Sequence, residues 1–204
     1  MNSLQAIIFD LGRVLIDVDL TKGIFKRTRQ GQTKSETDIL DALMRDSMYQ
    51  DYACGRITAL DFYNEICNRF KLELSFEQFK LEWNAVFHPI LGMPQLVQRL
   101  SVHYKIGLLS DIGPLHWEYL FQHLPLLQNI NKPTLSYQIG FLKPHPETYR
   151  TAAANVDLAP EKCLFIDDRE VNVQGAQDAG MRAIRFGNYN KLVQDLAQLN
   201  VMGM

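Results

Sequence analysis

The sequence predicts an α/β protein: a parallel sheet core interrupted by an all-helical insert. Three observations predict it. Short, continuously apolar runs stand at residues 4–9, 105–109, 162–166 and 182–186, with a weaker one at 134–137. From residue 93 onward these runs alternate with helical patterns, whereas residues 18–91 carry only helical periodicity. Continuous apolarity implies strands covered on both faces, and alternation with helices is the βα rhythm of a parallel sheet.

Helices are expected near 94–102, 114–123, 146–155, 170–179 and 188–199. In the insert, Ile39, Leu40, Leu43 and Met44, then Phe62, Ile66 and Phe70, then Phe76, Phe79, Trp83 and Phe87 recur at helical spacing, enough for about four helices. Thr58, three residues before Asp61, and Ser75, three before Gln78, are N-cap signals for two of them. The expected division is residues 1–17 plus 92–204 as the α/β core and 18–91 as a helical cap. The aromatic residues Phe76, Phe79, Trp83 and Phe87 read as core of that cap before substrate wall.

A chain of 204 residues, 47% hydrophobic, can bury a sizeable core. With 21 basic and 23 acidic residues it has no large field for nucleic acid or anionic membrane, so its expected partner is small. Cys54, Cys67 and Cys163 are scattered and contain no CxxC pair, which argues against a disulfide framework and a zinc site. The segment MNSLQAIIFDLG lacks the basic flank and longer apolar stretch of a signal peptide, and no window approaches the ~18 apolar residues that span a bilayer. A soluble, cytoplasmic protein is expected. No feature sets an oligomeric state.

Open parallel sheets bind ligands beyond the carboxyl ends of their strands. The first strand runs into Asp10, Leu11 and Gly12, the next into Ser110 and Asp111, and the run ending at Ile166 into Asp167 and Asp168. Carboxylates crowded on one rim repel each other unless a cation sits among them, and oxygen-only donors suit a hard ion such as magnesium. Magnesium takes one or two carboxylates plus substrate phosphate, which leaves one Asp free as a nucleophile.

The segments FDLGRVLID, LLSD, GFLKPHPETY and FIDDREVNVQGAQDAGM, in this order from Phe9 to Met181, resemble the four motifs of the haloacid dehalogenase superfamily. The chain's length, the FxxxWxxxF pattern at Phe79, Trp83 and Phe87, and LLSDIGPLHWEYL look closest to its bacterial alpha-D-glucose-1-phosphate phosphatase branch. The resemblance implies a Rossmann-like core with a helical cap and a magnesium-dependent phosphatase. Asp10 would attack phosphorus and become an aspartyl phosphate. Ser110 and Lys143 would hold the phosphoryl oxygens. Asp10, Asp168 and the Gly12 carbonyl would bind magnesium, with Asp167 its partner through water.

Other residues carry two readings each. Asn172 fixes the fourth motif by hydrogen bonding or sits on a helix surface. Gly175 and Ala176 permit close helix-to-sheet packing. His116 opens the helix after Ser110 and either faces substrate or packs. His88, His103 and His123 read as surface or packing residues, and His145 as turn scaffolding.

The chain departs from the family pattern at two places. Most phosphatases of the superfamily carry a second Asp two residues after the nucleophile, as general acid and base; here that residue is Gly12. Asp17 and Asp19 are possible substitutes, or hinge surface charges. An Asn commonly follows the motif-two Ser; here Asp111 does, at a position that the resemblance places among the substrate-binding residues with Ser110, Lys143 and His116. Its charge must be protonated, paired with Lys143 or turned away, and turning away is expected. Three functions stay in view: hydrolysis of a small sugar phosphate, phosphate-ester binding without turnover, and carbon–halogen hydrolysis, which needs no metal.

Overall fold

The computed structural model describes residues 4–28 and 36–201. The chain opens with β1 (Ala6–Phe9) and β2 (Ile16–Val18), then runs through α1 (Gly23–Thr28), α2 (Glu36–Arg45), α3 (Ser47–Ala53), α4 (Ala59–Phe70) and α5 (Phe76–Asn84) to β3 (Phe87–Pro89). It continues with α6 (Met93–Ser101), β4 (Lys105–Ser110), α7 (Pro114–His123), α8 (Pro125–Gln128), β5 (Thr134–Leu135) and α9 (Ser136–Ile139). It ends with α10 (Pro146–Asn155), a 3₁₀ turn, β6 (Cys163–Asp167), α11 (Glu170–Asp178), β7 (Arg182–Arg185) and α12 (Tyr189–Gln198).

The main sheet has the order β5-β4-β1-β6-β7, and its strand pairs are parallel. β1 is central because both faces of AIIF are apolar. Ile7 and Phe9 pack with Leu96, Leu100, Leu192 and Leu196 from α6 and α12, while Ala6 and Ile8 pack with Tyr149, Ala152 and Ala176 from α10 and α11. Two helical layers therefore cover the sheet, which is why its strands show no polar alternation. From β1 the chain winds first toward β4 and β5, then returns to place β6 and β7 on the other side. A crevice opens beyond β1 where the winding reverses.

The second sheet pairs β2 with β3, antiparallel, with Asp17 opposite His88. These three-residue strands carry the chain out of the main sheet and back, and they are too short to leave an alternating signature in sequence. Between them the described residues form five helices around Phe62, Phe79, Trp83 and Tyr52, all at most 1% exposed. Thr58 and Ser75 close the expected capping boxes with Asp61 and Gln78. Phe70 departs from its predicted stripe: it ends α4 and is 42% exposed, since Lys71 turns off in the left-handed region. The side chain of Leu40 lies outside the described ones. The weak strand expected over 134–137 stops at Leu135, where Ser136 begins α9. No described helix is long and apolar enough to cross a membrane.

Candidate active site

The register of the central strands assembles the site. Phe9 pairs with Leu108 on one side and Ile166 on the other, so the next residues emerge side by side: Asp10, the end of β4, and Asp167. The Asp10 amide extends the ladder by donating to the Ile166 carbonyl at 2.9 Å. The following turn is tight, with the Leu15 and Ile16 amides donating to the Leu11 carbonyl and Arg13 at φ 60°.

Lys143 arrives from the loop between α9 and α10 and fills the gap between two strands. Its Nζ donates at 2.7 Å to Asp10 Oδ1 and at 2.7 Å to Asp167 Oδ2. Asp111 anchors that loop, accepting the Lys143 backbone N–H at 3.0 and 3.2 Å. The structure corrects the expected turn away: the carboxylate pairs with Lys143, through its main chain, because that loop's amide needs an acceptor here. Asn172 Nδ2 donates to both oxygens of Asp167 at 3.0 and 3.1 Å, and the Arg169 amide donates to Oδ1 at 2.8 Å. The loop-fixing reading of Asn172 is the one observed.

Carboxylate oxygens of Asp10, Asp167 and Asp168 all lie within 4.8 Å of one another. Burial first, then the neighbouring Asp167 and Asp168 against the pull of Lys143, pushes Asp10 up to about 8. Asp111 is likewise pushed up to about 6 by burial, with Lys143 opposing. Burial pulls Lys143 down, but Asp10 and Asp167 outweigh it and hold the ammonium charged well above its ordinary range. Asp10, Asp167 and Asp168 thus crowd one place, with Lys143 between the first two and Arg13 acting on the third, and burial and then their mutual repulsion raise Asp10 and Asp168. A small divalent cation with oxygen ligands fits that donor set.

A cavity of about 120 Å³ lies over this cluster. Ser110, 3% exposed, borders it beside Asp10, Gly12 and Lys143. His116 borders it too, but its ring is engaged elsewhere. It stacks on Trp83, centroids 4.7 Å apart, and its Nδ1 lies 2.8 Å from Asn84 Oδ1. Asn84 Nδ2 donates to the Lys80 carbonyl, so Oδ1 is the acceptor and His116 Nδ1 the donor. Asp17 and Asp19 do not border the cavity: Asp17 accepts from the Val18 amide, and Asp19 accepts from Thr21 beside Lys22. Asp17 instead lines an adjoining cleft together with Arg13 and Asp168, and Asp19 follows the end of β2. Phe76 and Phe87 pack against the cap core of Phe79 and Trp83, as expected, and Phe87 also lines the cavity.

His145 caps α10, His123 bonds the Tyr119 carbonyl and His88 meets Lys22, as scaffolding and surface residues do. Gly175 differs from its reading, since a Cβ there would meet Pro144 and Tyr149, not the sheet. Sequence reasoning missed Arg13, Arg169 and Tyr49 in the lining. The two arginines had a signal, as they adjoin the Asp10 and Asp168 motifs. Tyr49 had none, because the docking of α3 brings it there.

Residues 7–186 match the haloacid dehalogenase-like hydrolase family. The chain is 27% identical to D-ribitol-5-phosphate phosphatase of Bacteroides thetaiotaomicron over 91% of its own length and 93% of the relative's. Among solved structures it resembles a HAD-like family hydrolase of Porphyromonas gingivalis (TM-score 0.80, 24% identity, 97% and 98% of the two chains). It also resembles a B. thetaiotaomicron HAD family enzyme in complex with magnesium and inorganic phosphate (TM-score 0.76, 24% identity, 91% and 96%). A family match that runs from β1 past β7, over a sheet whose switch point gathers Asp10, Ser110, Lys143 and Asp168, makes this chain an enzyme of the haloacid dehalogenase-like hydrolase family.

Proposed function

We propose that the enzyme is a magnesium-dependent phosphomonoester hydrolase that acts on a small phosphorylated metabolite through an aspartyl phosphate on Asp10. The observation that carries this reading is the Lys143 ammonium held 2.7 Å from both Asp10 and Asp167, with Asp168 in the same carboxylate cluster. That arrangement suits an anionic nucleophile and an anionic substrate sharing counter-charges. The names of the ribitol-phosphate phosphatase and the magnesium–phosphate complex support it.

Asp10, Asp168 and the Gly12 carbonyl would hold the magnesium ion, with Asp167 as the outer partner. The ion supplies positive charge that lets a carboxylate approach a phosphoryl group. The Asp10 oxygen bonds to phosphorus as the ester P–O bond breaks, and water later hydrolyses the acyl phosphate to release inorganic phosphate. Ser110 and Lys143 hold the phosphoryl oxygens while charge spreads over them. Gly12 has no proton to give the departing oxygen. The Tyr49 hydroxyl borders the cavity from α3, but burial, and then the charges of Asp111 and Asp10, raise its pKa and weaken it as a proton donor. Carbon–halogen hydrolysis leaves Asp168 and the Asn172-fixed Asp167 without a role, so phosphate-ester hydrolysis is preferred.

The experiment is a phosphate-release screen against phosphorylated metabolites, including glucose 1-phosphate and ribitol 5-phosphate, with magnesium and with chelator. Turnover that needs magnesium and vanishes in Asp10→Asn is expected. Turnover undiminished in that variant would remove Asp10 as nucleophile.

A further inference from the structure

We propose that Ser136 is a positioning residue that couples the seating of the cap helix α3 to the loop that grips the phosphoryl group. The inference rests on the phosphatase reading above, since it takes Ser110 as a ligand of the phosphoryl oxygens.

Residues 110–113 lead from β4 into α7. Ser110, Asp111 and Ile112 line the cavity, and Asp111 accepts the Lys143 main-chain N–H at 3.0 Å. The place of this loop therefore sets both Ser110 and Lys143. Ser136, 1% exposed at the start of α9, holds the loop: its Oγ accepts the Ile112 amide at 2.9 Å.

The same hydroxyl reaches the cap. Ser136 Oγ donates to the Ala53 carbonyl at 2.6 Å. Ala53 is the last residue of α3, where carbonyls have no partner within the helix, so the core supplies the donor. Neighbouring contacts hold α3 in the matching place. The Tyr52 hydroxyl accepts the Leu115 amide in the first turn of α7 at 3.0 Å. Gly55, at φ 70°, lies so near the Tyr137 carbonyl that a Cβ would sit 2.2 Å from it. The helix seated in this way brings Tyr49 to the cavity.

A hydroxyl has one proton to give, and a second acceptor lies within reach: the Ile112 carbonyl, 3.2 Å from Oγ. With α3 seated, the proton goes to Ala53 and Oγ serves Ile112 as an acceptor alone. With α3 lifted, the proton turns to the Ile112 carbonyl. Neither state strands a buried hydroxyl, and each gives the loop a different set of bonds. Such a side chain is a two-state element that the cap and the phosphate loop both bias. Coupling is reciprocal, so the factor by which a seated α3 strengthens phosphate binding is the factor by which bound phosphate favours the seated α3.

The test uses the full-length enzyme with magnesium, and inorganic phosphate is the probe. Calorimetry reads phosphate affinity, and hydrogen exchange over residues 50–57 reads the seating of α3 with and without phosphate. In the parent enzyme, saturating phosphate is expected to slow that exchange about tenfold. Ser136→Ala is expected to weaken phosphate binding about tenfold, to lower kcat/KM on every ester by a similar factor, and to abolish the effect of phosphate on exchange. Ser136→Thr, which keeps the hydroxyl, should restore all three. Tyr63→Phe removes a bond inside the cap, to the Leu74 carbonyl at 2.6 Å, and should lower the melting temperature without changing phosphate affinity. Exchange in the parent that phosphate does not alter, or phosphate affinity equal in Ser136→Ala and parent, would make Ser136 a packing residue and leave the phosphatase reading standing. An equal loss of phosphate affinity in Tyr63→Phe would do the same. A parent enzyme that neither binds phosphate nor turns over any ester would overturn both.

Discussion

His116 of α7 lies flat against Trp83 of α5, with ring planes 4° apart, and the same imidazole bonds Asn84 one residue further along α5. A core helix and a cap helix thus meet through a histidine that must stay neutral. Burial lowers it from 6.5 to about 3.

Acid should therefore loosen this seam. Below pH 6.5 the unfolded chain takes up a proton that the folded His116 refuses, so its contribution is intact above that pH and is lost as pH falls toward about 3. Melting temperatures measured from pH 7 to pH 4 should fall, and His116→Gln should flatten that slope while lowering stability at neutral pH. An equal slope in the variant would assign acid sensitivity elsewhere.

The opposite sign applies beneath the cap. Asp10, raised from 3.8 to about 8, destabilises the metal-free fold progressively as pH climbs through that window, and Asp111 adds to it up to about 6. Magnesium should abolish the decline, and Asp10→Asn should reduce it without metal. Differential scanning calorimetry with and without chelator reads both.

Lys143→Met strands two buried carboxylates. A loss of about 3–5 kcal/mol is expected without metal, because removing one partner leaves the others uncompensated. Magnesium should restore much of that stability, whereas kcat should stay down by about 10²- to 10³-fold if, as proposed, the ammonium also holds phosphoryl oxygens. Denaturant titration and steady-state kinetics separate the two effects.

Tyr49→Phe removes a cavity hydroxyl whose raised pKa makes it a weak proton donor. Turnover of sugar phosphates and of p-nitrophenyl phosphate, whose leaving group needs no proton, should therefore change by the same factor, less than about tenfold. A loss confined to the sugar esters would make Tyr49 the general acid.

Gly113 lets the Tyr52 ring rest on the core. A Cβ there would sit 2.0 Å from Tyr52 Cε1, so Gly113→Ala must push α3 away and break the Tyr52–Leu115 bond. The expected cost is about 1–3 kcal/mol, with a raised KM, because Tyr49 rides on the same helix.

The sequence by itself determined the parallel sheet, its helical insert, and the residues that follow β1, β4 and β6. Continuous apolar runs report burial on both faces, and chain direction then dictates which side chains emerge at the carboxyl ends. Asp10, Ser110, Asp167 and Asp168 were legible for that reason, and Lys143 through its motif. Only the tertiary structure decided that Asp111 holds the Lys143 main chain, that Asp17 and Asp19 stay off the main cavity, and that Phe87 and Tyr49 border it. Those outcomes depend on how α3, α5 and the β2–β3 pair dock against α7 and α9. Docking is settled by side-chain shapes far apart in the chain, and a local periodic pattern carries no record of it.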